Sequence, residues 1–330
     1  MFLGYIHYFR AIAIFFIVAG HTIDAFAWPA GSDIERVLRI LISNGSTLFV
    51  FIAGYLFQHL TTKYSTKKYY LSKLKNVIVP YLLISIPAIV IFVAIMVRET
   101  AWQGFYDNPE WLQVILFYVT GIHLAPLWFV PMITLFYLVA PLLVKGDKSG
   151  KLYWLIPLAI VTSCFVARGL PHQSFIHFFS VYILGMYASR YKEALNPILG
   201  QTKTILLFGA LVCLFAFVEF STTDATMTYW NYLQKTSMCF FFIGLLFKVN
   251  DKLTSKFVSN IADTSFGVFF IHSYVLTGMK MGYDKLSGGK VSGDILSYSV
   301  MAIFVLLLCV FIINAIQKVF GKKSRYLVGS

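Results

Sequence analysis

The 330-residue chain is 58% hydrophobic and only 12% charged, with a mean hydropathy of +0.75 and a formal net charge of +13. Soluble domains carry charge on about a quarter of their residues, so a water-soluble globular fold is excluded and a polytopic membrane protein is expected. Nucleic acid does not explain the positive balance, because the basic residues fall in short loops between apolar stretches.

Apolar windows predict an all-α bundle of about ten transmembrane helices, forming one integral domain over residues 1–330. The spans lie at roughly 6–28, 40–60, 77–97, 127–145, 152–168, 174–190, 204–220, 230–248, 261–280 and 295–317. An apolar stretch near 111–122 is too short to cross and reads as an interfacial or re-entrant helix on the outer side. With the N-terminus inside, 18 of the 27 Lys and Arg residues fall on the cytoplasmic side and 7 outside. That asymmetry predicts cytoplasmic N- and C-termini in a multi-pass cell (inner) membrane protein. It also suits attraction to anionic membrane lipids, and the lysine-rich loop 61–76 suits an anionic cytosolic ligand such as a phosphorylated coenzyme. Ala25-Phe-Ala27 has the form of a signal-peptidase site, but a single Arg precedes the apolar run and His21 and Asp24 interrupt it, so retention is expected.

The first span holds the strongest signal. Arg10 and His21 are separated by ten residues of an otherwise apolar segment. Eleven helical steps return to within about 20° of the starting face, about 16 Å further along, so both side chains line one stripe. Ionisable residues at bilayer depth are costly and face a protein interior or a wet cavity, which makes both functional candidates. The plainer alternative has Arg10 snorkelling to the interface and His21 bonding a neighbouring helix. Asp24 lies on an adjacent face, placed to orient the imidazole, to touch a substrate, or simply to be solvated at the helix end.

Further along, His123, Trp128 and Tyr137 mark the outer start of the fourth span, where a Trp is commonly an interface anchor. Lys235, in the eighth span, needs a partner such as Glu219 or a path to water. His272 is intramembrane and a candidate for the cavity wall. His172 and His177 lack a third ligand, so no metal site is expected. His7 and His59 read as interfacial. Cys164, Cys213, Cys239 and Cys309 sit singly in apolar segments and read as free and buried.

Several of these stretches, in order, resemble the membrane acyltransferase family 3. Arg10-(ten residues)-His21 is similar to its first-span signature. Asn44-Gly-Ser-Thr-Leu-Phe-Val-Phe-Ile-Ala-Gly-Tyr-Leu56 is similar to its second-span "LFF-x-x-SGYL", with Ala53 where Ser is usual. Lys73-Leu-Lys-Asn-Val-Ile-Val-Pro80-Tyr81 resembles a basic run ending in Pro-Tyr, here with Lys and no Arg pair. Leu127-Trp128-Phe129 through Tyr137 and Pro141 resembles "LWF…Y…P". Thr264-Ser265-Phe-Gly-Val-Phe-Phe-Ile-His272 resembles "S-x-G-x-Y-x-x-H", with Phe269 for Tyr. The resemblance runs from residue 5 to about residue 320.

It implies an O-acyltransferase, with acetyl the expected group, that takes an acyl group from cytosolic acyl-coenzyme A, acetyl-coenzyme A above all, and passes it to a hydroxyl of a cell-surface or lipid-linked glycan. His21 is then the general base or a transient acyl carrier, and Arg10 a coenzyme-binding or charge-stabilising group. Lys73 and Lys75 are candidates for the coenzyme, binding phosphate as point charges rather than as a fork. Asp24, His123, Trp128 and His272 are candidates for the acceptor. One cavity is expected, with a lysine-lined cytosolic entrance, Arg10 below it and His21 deeper. Polysaccharide-biosynthesis proteins or a second copy of the chain are conceivable partners, and the particular glycan is not legible. A transporter or flippase for a lipid-linked sugar or small solute is the alternative, since intramembrane Arg, His and Lys suit proton coupling too. A structural subunit of a polysaccharide-export complex is a third reading, which would tolerate substitution of Arg10 and His21.

Overall fold

The computed structural model describes residues 3–225 and 228–329. It is helical throughout, apart from a two-residue parallel ladder pairing Phe26 with Val291 and Ala27 with Ser292. The central helix α1 (Gly4–Thr22) is buried around most of its circumference, as expected of an apolar helix at the middle of a bundle. A broken span follows, α2 (Asp33–Ile42) and α3 (Ser46–His59). α4 (Thr66–Lys73) continues through a π-helical segment, Leu74–Ile78, into α5 (Val79–Ala94). The Val79 amide bonds the Leu74 carbonyl five residues back, and Pro80 has no amide to restore the tighter register.

After the short α6 (Glu110–Thr120) come α7 (Phe129–Leu138) and α8 (Ala140–Ser149), bent by 56°. Then follow α9 (Ile156–Phe165), α10 (Pro171–Arg190), α11 (Lys192–Leu199), α12 (Thr202–Thr222) and α13 (Tyr229–Lys248). α14 (Lys256–Ser287), α15 (Ile295–Phe320) and the terminal turn α16 (Ser324–Val328) complete the chain.

Each of the ten expected spans overlaps helical structure, two of them across a break, at 40–60 and 127–145. Among the described residues, however, only five helical stretches are long and apolar enough to cross a membrane by themselves, six if bent α7–α8 counts as one. Part of the difference is length, since α9 is only ten residues long, and part has a packing cause. α10 and α13 are each 20 residues long but bury Ser174, His177, Ser180, Asn231, Gln234 and Lys235 against other helices. Interior helices meet protein rather than lipid, so they can carry polar groups wherever partners exist. The four cysteines are free, but only Cys239 and Cys309 are buried; Cys213 is exposed on the outer face of α12.

Two close approaches fix the geometry around α1. α3 and α10 cross at Gly54 and Gly185, where a Cβ on either would overlap the backbone carbonyl of Tyr182 or Phe51. α1 and α14 run parallel. His7 Nε2 lies 2.9 Å from Ser259 Oγ, Arg10 donates to Ser265 Oγ at 3.0 Å, and the small ladder ties their far ends.

Candidate active site

His21 sits in the last turn of α1 and opens onto a cavity of about 130 Å³. The cavity lies where the α2–α3 span breaks. Asn44, at the break, has φ 65°, a left-handed conformation that Asn tolerates better than most residues. Breaking a helix inside a membrane protein frees backbone carbonyls that must find donors. Lys235 Nζ supplies them, donating to Ile40 (3.0 Å) and Leu41 (2.6 Å), and Asn231 Nδ2 also donates to Ile40 at 3.0 Å. The buried lysine is therefore first a cap for a broken helix. Glu219, the partner expected from sequence, interacts with Lys235 through charge without a direct hydrogen bond, and accepts from the amide of Thr228 at 3.2 Å.

The wall opposite His21 is basic. Arg168 donates to Asn44 Oδ1 at 2.6 Å, and its guanidinium lies 5.2 Å from the Trp128 ring, which stacks on Phe178. Asp24 is held by Arg39 at 2.9 Å, and Arg39 also pairs with Glu35 at 2.8 Å. The Asp24 carboxylate thus lines the cavity while bonded to Arg39. Arg168, Arg39 and Asn44 were not among the sequence candidates. The first two look like ordinary outer-loop charges, and only the break at Asn44 brings them to His21.

Behind His21 stands His272, its ring centroid 5.3 Å away and its plane tilted by 37°. His272 Nδ1 lies 3.0 Å from the Val268 carbonyl and 2.9 Å from that of Phe269. Carbonyls only accept, so Nδ1 carries the hydrogen of the neutral ring. That leaves the Nε2 lone pair, buried and without a hydrogen-bond partner among the described residues.

The remaining candidates lie elsewhere. Arg10 lines a different cleft, of about 470 Å³, with Asn76, Asp263, Gln317 and Arg325. Between that cleft and His21 the α1–α14 seam is packed with Ile14, Ile17, Val268 and Phe269, all buried. The single continuous cavity expected from sequence is therefore a set of separate recesses. Lys73 lines a third, of about 450 Å³, with Lys63, Lys68 and four tyrosines, and its ammonium sits over Tyr69 and Tyr137 (5.3 and 4.9 Å). Lys75 is exposed and lines none of these three recesses. His123 is buried beneath α6 among Tyr81, Phe117 and Tyr118, with Nδ1 3.0 Å from the Phe117 carbonyl, and does not line the His21 cavity. The left-handed turn at Gly121 folds it under α6.

Apolar helices around a histidine-centred polar cavity define a multi-pass membrane protein. The model of the family described as an acyltransferase domain, acyltransferase family 3, matches residues 3–314. The chain belongs to that family and is an acyltransferase. No curated protein and no solved structure gives a match.

Proposed function

We propose that this acyltransferase moves an acyl group, acetyl by preference, from cytosolic acyl-coenzyme A to a hydroxyl of a cell-surface or lipid-linked glycan beyond the inner membrane, with both termini cytosolic. The observation that supports this most is His21 itself, on a polar cavity with Arg168 on the facing wall and His272 behind it. An alcohol attacks a thioester well only if a base takes its proton as the bond forms. His21 removes that proton, the oxygen bonds to the acyl carbon, the carbon–sulfur bond breaks, and the departing thiolate takes the proton back. Arg168, on the same cavity as His21, would supply the guanidinium that offsets charge on the tetrahedral oxyanion. Neutral His272, with its Nε2 lone pair, keeps a second cation away from a His21 that gains one during the reaction. The transporter and export-subunit readings give way to the family assignment.

Such a transfer needs the thioester to reach His21 along the face that Arg10 begins, so the apolar packing at Ile14, Ile17 and Phe269 must part for the pantetheine arm. The test is release of free thiol from acetyl- or succinyl-coenzyme A by purified protein in detergent. Wild type should bind the donor and release thiol slowly without acceptor, and His21→Ala should bind but not release. Absence of both binding and release with either donor in wild type would overturn the donor assignment.

A further inference from the structure

The family match ends at residue 314, but the chain beyond it is docked. α15 stops at Phe320, and Gly321, with φ 52°, turns the backbone through a region that favours glycine. Ser324 Oγ donates to the Gly321 carbonyl at 2.8 Å, and α16 then packs across α5, α14 and the π-helical segment. Val328 is 4% exposed, and a Cβ on Gly329 would lie 2.6 Å from the Phe266 ring. The tail is part of the packed structure.

Docking brings Arg325 into the cleft that Arg10 lines, beside Asn76 and Gln317. An adjoining recess of about 540 Å³ shares Arg325, Asn76 and Gln317 with it and adds Lys322. Arg10 and Arg325 thus share one cleft with the single carboxylate of Asp263, whose side chain is 68% exposed, and Lys322 lines the recess beside it. Two guanidinium groups, an ammonium and two amides around open space are the chemistry of phosphate and diphosphate recognition, because the guanidinium fork matches phosphate oxygens. The rival recess at Lys73 has three lysines but no guanidinium fork and no side-chain amide, and the Lys73 ammonium already lies over two tyrosines. The Arg10 cleft has a further advantage of position, at the foot of the α1 face that leads to His21.

We propose that Arg325 and Lys322, carried by the tail beyond the family domain, join Arg10 in gripping the phosphate groups of the acyl donor, so that α16 selects for a nucleotide-bearing thioester. This rests on the acyl-coenzyme A reading above. The test compares acetyl-coenzyme A with S-acetylpantetheine, which lacks the nucleotide, as donors for thiol release by the full-length protein in detergent. Wild type should have the lower KM for acetyl-coenzyme A. Arg325→Ala should raise that KM about tenfold, the scale of one hydrogen bond to a charged group, with kcat and the KM for S-acetylpantetheine unchanged. Arg325→Lys should recover part of the loss, and Lys322→Ala, on an exposed side chain, should shift the same KM in the same direction. An unchanged KM for acetyl-coenzyme A in Arg325→Ala, or an equal rise for both donors, would overturn the tail's role and leave the donor reading intact. Equal KM values for the two donors in wild type would do the same. If wild type neither bound nor cleaved either donor, the donor reading would fall first and take this inference with it.

Discussion

The imidazoles of His21 and His272 lie 5.3 Å apart on parallel helices from opposite ends of the sequence. The His272 ring is pinned by two backbone carbonyls one turn back, so it presents a fixed lone pair and cannot swing. In the proposed mechanism it supports the base, His21, without being one. His21→Ala should lower thiol release by about 10²–10⁴, the range of general-base catalysis. His272→Gln should lower kcat by a smaller factor with the donor KM unchanged. Steady-state thiol release measures both, and wild-type kcat in His272→Gln would remove that residue from the site.

Among the partners that hold Arg168 are the Asn44 amide oxygen, the Ser46 hydroxyl and the Trp128 ring. Lysine keeps the charge but loses the planar fork that meets these groups together. Arg168→Lys should therefore reduce kcat about tenfold or more, approaching the 10² loss seen when an oxyanion donor is removed. A kcat unaffected by Arg168→Lys and by Arg168→Gln would show that the guanidinium serves only the fold.

Lys235 caps the carbonyls of Ile40 and Leu41 at the broken span. Lys235→Met leaves the Leu41 carbonyl without its donor while Asn231 still serves Ile40, at a cost of about 1–3 kcal/mol for the unmet acceptor. The thermal midpoint in detergent should fall, and activity should fall with it, because the same break positions Asn44 and Arg168. A variant that kept the wild-type midpoint would mean that another donor, Asn231 first, can cap the break alone.

Gly54 and Gly185 let α3 and α10 touch backbone to backbone. A methyl group at either position meets a carbonyl that no rotamer change can move. Gly54→Ala and Gly185→Ala should each destabilise the protein by about 1–3 kcal/mol or more, read as lost folded yield and a lower melting midpoint. Gly278, with open space around it, is the control and should accept Ala without effect on folding. Equal melting for all three variants would contradict the tight crossing.

The positions of the helices were readable because burial in lipid or in a tight bundle demands long apolar runs, and every expected span met a helix. The Arg10–His21 stripe was readable for the same reason, since an ionisable group inside such a run stands out. His272 and Trp128 were found through motif, and both lie at the His21 site. The sequence was misleading where adjacency along the chain stood in for adjacency in space. His123 and Tyr137 neighbour Trp128 in sequence, yet one packs under α6 and the other faces Lys73.

What the sequence determined by itself was the membrane class, the helical architecture, the family and the central histidine, all of which follow from local composition, periodicity and motif. Tertiary structure alone decided that Arg10 and His21 look into different recesses, that Lys235 caps a broken helix, and that Arg168 and Arg325 reach the two ends of the α1 face. Those outcomes depend on how a break at Asn44, a π-helical turn before Pro80 and a reversal at Gly321 aim distant segments. Such aims are set by three-dimensional closure of the bundle, because each freed backbone group and each buried charge must find its partner on another helix.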